Sequence, residues 1–197
     1  QVSDRTAFES YLPAANEWGA RMGPLVHFAE THDNNRLAAQ GETHARLRTA
    51  LAALLSQQGT FGVANGVEWF ATEKIDVHGA TTLNWGSSRN QVREIAHLNT
   101  LLAQHPAFAA GASVRLVQEG HGNALAALRT CPRPPPATGS AALLVLANLD
   151  AHARQPVHWP ARVFDTVQAW DLLTGTAYPL SGARQVDLAP GQILCLT

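Results

Sequence analysis

Twice in the first half of this chain, a short apolar run opens directly into a crowded polar segment, and each polar segment is followed by a helical repeat of leucines. Leu25 to Ala29 (LVHFA) leads into Glu30-Thr31-His32-Asp33-Asn34-Asn35-Arg36, and Thr43 to Gln57 then spaces Leu47, Leu51, Leu54 and Leu55 along one helix face up to Gly59. Thr60 to Ala64 (TFGVA) leads into Asn65 to Glu73. Asn90 to Gln104 follows, with Val92, Ile95, Leu98, Leu101 and Leu102 on one face before His105-Pro106 stops it. Parallel strands cannot be joined by tight turns and need crossover helices, so strand, loop, helix, strand, loop, helix predicts a parallel α/β sheet or barrel. A continuous apolar run such as LVHFA predicts a strand buried on both faces. Ahead of it, Thr6 to Tyr11 and Ala14 to Met22 read as helix interrupted at Pro13 and ended by Gly23-Pro24.

The pattern changes near residue 110. Beyond it, short β-type runs are separated by Pro, Gly and Asn, and strands are predicted at 114–118, 125–129, 142–148, 157–159, 167–171 and 192–196. Pro132 to Pro136 cannot pair inside a sheet and reads as a hairpin-type excursion. Strands this short over so few residues suit a small antiparallel sandwich.

Composition narrows the partners. With 46% hydrophobic and 15% charged residues the chain has a globular balance, and its formal net charge of −1 offers no long-range attraction to phosphate backbones or anionic lipid. Nucleic acid and membrane partners are therefore not expected, and no apolar run is long enough to span a bilayer. Cys131 and Cys195 cannot build a disulfide framework, which points to a reducing, cytoplasmic setting. Nine histidines occur without an HExxH or paired-cysteine pattern, so no metal is expected. Nucleotide-binding glycine loops and the Gly-x-Ser-x-Gly elbow of serine hydrolases are absent, and no cofactor is expected. The only methionine is Met22, so a chain opening at Gln1 reads as a processed product or an excised piece.

In parallel α/β folds the loops at the carboxyl ends of the strands build the site. The first such loop packs two carboxylates, a histidine, two amides and a guanidinium into residues 30–36, a density costly to desolvate without a network or ligand. His32 and Asp33 as a helix cap and solvated turn is the plainer alternative. The second loop carries Glu68, Trp69 and Phe70, whose aromatic rings suit either a sugar platform or burial against a neighbouring loop, and then Lys74, the sole lysine. Trp159 and Trp170 are expected inside the β part.

Phe28-Ala29-Glu30-Thr31-His32-Asp33 resembles the fourth conserved region of the α-amylase superfamily, glycoside hydrolase family 13, with Thr31 in place of the usual Asn. The closing stretch from Asp171 to Thr197, with its Leu-x-Pro-Gly turn, is similar to the last strands of the family's antiparallel domain C. Gly66-Val67-Glu68 with Glu73-Lys74-Ile75-Asp76 is loosely similar to the loop after strand eight in maltosyltransferases that use maltose 1-phosphate. The resemblance implies an α+β, multidomain chain: residues 1–110 as a partial (β/α)8-barrel segment, its last two βα units and the helix before them, and residues 111–197 as domain C, an antiparallel β-sandwich. It implies Asp33 as the carboxylate that steadies the transition state, with His32, Arg36, Glu68 and Trp69 binding an α-glucan or maltosyl substrate.

The family reaction is retaining and needs a carboxylate nucleophile and an acid about 5 to 5.5 Å apart. Those groups follow strands four and five, upstream of any residue here, and a complete barrel takes roughly 250 residues. The chain is thus expected to be the C-terminal part of a glycoside hydrolase or transglycosylase and inactive alone, with a non-catalytic carbohydrate-binding or interaction module as the alternative. Open parallel edges predict self-association or local rearrangement of residues 1–64.

Overall fold

The computed structural model describes residues 4–76, 78–79, 82–131, 142–164, 166, 168–180 and 184–197. The Pro132–Pro136 excursion predicted above lies outside them. Helix α1 (Arg5–Met22) starts at Asp4, whose carboxylate accepts the Ala7 N–H at 2.9 Å, and ends at Gly23, whose φ of 103° is open to glycine. It runs unbroken through Pro13, where the sequence predicted an interruption. Phe8, Leu12 and Ala15 are buried on one stripe around the proline, and the Asn16 amide donates to Val114 O at 2.8 Å, so packing on both sides of the missing N–H holds the helix straight through.

Strands β1 (His27–Phe28) and β2 (Phe61–Gly62) pair in parallel, His27 opposite Phe61 and Phe28 opposite Gly62. Helices α2 (Glu42–Leu54) and α3 (Val92–Gln104) follow them in turn. LVHFA is not buried on both faces, as its composition had suggested. His27 turns inward, while Val26 and Phe28 are 56% and 49% exposed, because the described residues supply no layer over that side.

Beyond residue 110 a six-stranded antiparallel sheet has the order β3-β4-β5-β10-β7-β8. Its strands are β3 (Ser113–Leu116), β4 (Ala124–Thr130), β5 (Ala142–Asn148), β7 (Gln168–Asp171), β8 (Thr176–Pro179) and β10 (Ile193–Leu196). A separate antiparallel pair joins β6 (Gln155–His158) to β9 (Gln185–Leu188). Strands β8 and β9 were missing from the sequence-based assignment.

Alternation in β4 and β5 divides their side chains between two cores. Leu125, Ala127, Leu143, Val145, Ala147 and Cys195 pack with Phe8, Leu12, Leu51, Leu54 and Leu98 of the helices. Ala126, Leu128, Leu144, Leu146 and Leu194 pack instead with Val157, Val186, Leu188 and Trp159. Both central strands are covered on both sides, which makes their all-apolar sequences stable. Trp159 is buried, its indole N–H donating to Phe164 O at 3.1 Å, but Trp170 is 48% exposed on β7, contrary to expectation.

A guanidinium sits within this core. Arg129 on β4 is fully buried. Its Nε donates to Ala107 O at 3.1 Å, its Nη1 to Leu54 O and Ser56 O at 2.9 Å each, and its guanidinium lies 4.0 Å from the Phe108 ring centroid. Carbonyls at the end of α2, left without helical partners, are thereby satisfied. Burial pulls its pKa down to about 10.

Candidate functional site

The segments after β1 and β2 are fastened to each other by one buried ion pair. Glu30 and Arg36 meet at 2.6 Å with side chains 2% and 0% exposed, and the other Glu30 oxygen accepts the Leu37 N–H at 2.5 Å. Burial pushes the Glu30 carboxyl above its ordinary range, against the pull of the Leu37 N–H and the Arg36 guanidinium. Both Arg36 Nη atoms donate to Asn65 O in the second loop at 3.0 Å. Gly66, next in sequence, has φ +90°, and a Cβ there would fall 3.0 Å from Arg36 Nη2, so the junction tolerates glycine alone. Arg36 is thus a buried strut, its guanidinium engaged by Glu30 and Asn65 and turned away from the substrate-binding role that the resemblance implied.

Held by this strut, His32 and Asp33 point outward. Their side chains are 58% and 81% exposed, with His32 Nε2 3.4 Å from Asp33 Oδ2. They line an open pocket of about 430 Å³ with Phe28, Thr31, Ala64, Asn65 and Ile75, at the carboxyl ends of both parallel strands. Thr31 donates through Oγ1 to Asn34 Oδ1 at 2.9 Å, closing the turn that carries them. An exposed carboxylate beside an imidazole can accept hydrogen bonds from hydroxyls and face a developing positive charge.

Glu68 and Trp69 do not join this pocket. The Glu68 carboxylate accepts the Gly66 N–H at 3.0 Å within its own loop. Half-buried Trp69 leans on Trp85, with ring centroids 5.6 Å apart and planes tilted by 48°. The two indoles line a separate groove of about 640 Å³ with Glu42, Asn84, Ser87 and Arg89. Trp85 is 72% exposed. Phe70, considered for the platform, is buried under Arg46 at 4.8 Å with φ 52°. Among the described residues no three His, Cys, Asp or Glu side chains group as a metal site, and no helix is long and apolar enough to cross a membrane.

Neither a protein-family model nor a curated protein matches the sequence. Solved structures do. A noncanonic maltogenic α-amylase from Thermotoga neapolitana is similar over 98% of this chain and 45% of its own, with TM-score 0.75 and 13% identity. This is an α-amylase-type fold. An α-amylase from Lactobacillus plantarum shares it over 95% of this chain and 42% of its own, with TM-score 0.63 and 18% identity. A γ-CGTase from alkalophilic Bacillus clarkii shares it over 86% and 25%, with TM-score 0.62 and 18% identity. Another match with this fold, AmyP, was solved in complex with maltotriose and with maltose. The chain spans less than half the length of each of these amylase-type structures.

Proposed function

We propose that the chain is the C-terminal part of a retaining glycoside hydrolase or transglycosylase acting on α-glucans. In this reading residues 1–110 are the last βα units of a (β/α)8 barrel and residues 111–197 are domain C. The observation that carries the proposal is the outward His32–Asp33 pair, presented at the carboxyl ends of β1 and β2 on the rigid Glu30–Arg36 strut. Asp33 steadies positive charge at the sugar's anomeric carbon as the bond breaks, and His32 hydrogen-bonds the same ring. Glu68 shapes the neighbouring loop, and Trp69 contributes an apolar surface for sugar further along. Complexes of a similar structure with maltose and maltotriose support the substrate class.

Double displacement needs a nucleophile and an acid that this chain does not supply, so it does not turn over glucan alone. In a polypeptide that carries those two carboxylates upstream, Asp33→Asn lowers kcat by about a hundredfold or more. Unchanged turnover would remove Asp33 from the role.

The Trp69–Trp85 groove favours one second reading, a non-catalytic carbohydrate-binding module. Retardation of the chain in a glycogen gel, abolished by Trp85→Ala and indifferent to Asp33→Asn, would select it over the first.

A further inference from the structure

A second pocket, of about 240 Å³, lies between α1, β1 and α2 and shares only Phe28 and Thr31 with the His32–Asp33 pocket. Its lining includes two polar side chains that are more than nine-tenths buried and each carry an atom without a hydrogen-bond partner: His27 at Nε2 and Arg48 at Nη1. A buried donor left unmatched costs about 1 to 3 kcal/mol, more when charged, so two at one cavity call for an explanation.

Their chemistry agrees. Arg48 forms no ion pair among the described residues, and its guanidinium rests 5.2 Å from the Phe8 ring centroid. The Tyr11 hydroxyl lies 3.4 Å from His27 Nδ1; in the tautomer that accepts it there, the ring proton sits on Nε2 and is free to donate. The pocket's one carboxylate, Glu30, has one oxygen on Arg36 and the other on Leu37 N–H, so its charge is already matched. Arg129 adds a further positive field that, after burial, helps hold His27 neutral. The cavity is therefore electropositive, donor-lined and large enough for an ion of several heavy atoms.

The geometry points to a binding site for a small oxyanion in this pocket, held by Arg48 and His27 Nε2–H. The site does not depend on the glucan reading, since neither residue touches His32 or Asp33.

Inorganic phosphate and acetate, titrated separately at constant ionic strength into the ¹⁵N-histidine-labelled protein, test it. Saturable movement of the His27 ring resonances, with exposed His78 unaffected, is the expected result, together with a rise in Tm. Response to phosphate alone defines a tetrahedral-oxyanion site; response to both defines a site for carboxylates as well. Arg48→Met weakens the apparent affinity by about tenfold or more, as expected for loss of a charge-assisted bond. Arg48→Lys, which keeps the charge but loses the fork, falls between. No saturable His27 response to either anion overturns the inference, as does an equal response in a folded Arg48→Met. If that variant does not fold, the His27 titration of the unaltered protein decides.

Discussion

LVHFA and ALLVLAN are both apolar runs with one potential to bury themselves, and the molecule treats them differently. In β5, Leu143 to Ala147 are exposed by 1% or less, flanked by β4 and β10 and covered by helices on one side and β6–β9 on the other. In β1 two residues pair with one neighbour, and Val26 and Phe28 face solvent. Apolar sequence sets how much surface can be buried; the number of adjoining strands and layers sets how much is. A strand read in isolation has the first quantity without the second.

That contrast breaks most sharply under truncation. Leu146→Ala in β5 should lower unfolding free energy by about 2 to 5 kcal/mol, since its neighbours on both sides cannot collapse into the void. Phe28→Ala in β1 should change it by less than about 0.5 kcal/mol. Urea unfolding compares the two directly, and equal costs would mean that β1 is covered in solution.

A covering copy is the specific form such a result would take. We propose that the exposed Val26, Phe28 and Val63 around the short parallel pair promote self-association, which light scattering at rising concentration would register. Phe28→Lys should shift the protein to monomer, while Trp170→Lys, on the exposed face of β7, should not.

The smallest expected effect is one of pH. His27 sits below the ordinary histidine value of 6.5, first because it is buried and second because of Arg129. A lowered histidine pKa means that the unfolded chain binds the proton more readily. Stability is therefore full above the unfolded value and declines as pH falls through the folded one. The urea midpoint should fall on acidification below about pH 6.5, and His27→Gln should flatten that fall without abolishing it, because His44 and His105 are shifted the same way by burial.

The sequence made the order of helices and parallel strands legible because leucine spacing over a dozen residues integrates many weak signals, as in α3. It revealed His32 and Asp33 as exposed polar groups at a strand end for the same local reason. Pro13 misled because its cost is local while the packing of Phe8, Leu12 and Ala15 that overrides it is not. Strand β8, three of its four residues exposed, has no alternation to read, and β9 alternates over too few residues to stand out. Arg36 looked like Asp33 from the sequence, as one more polar residue in a polar loop. Only its pairing with Glu30 and its reach to Asn65, twenty-nine positions on, separate anchor from ligand-facing group.

Arg129 carries a consequence for how the molecule comes apart. A single guanidinium on β4 holds carbonyls at the end of α2 and in the turn after α3, so the helical half cannot loosen without stranding a charge inside the sheet half. The two halves should melt in one calorimetric transition. A chain cut at residue 110 should yield a β part that is less than half as robust, its buried cation having lost most of what once answered it.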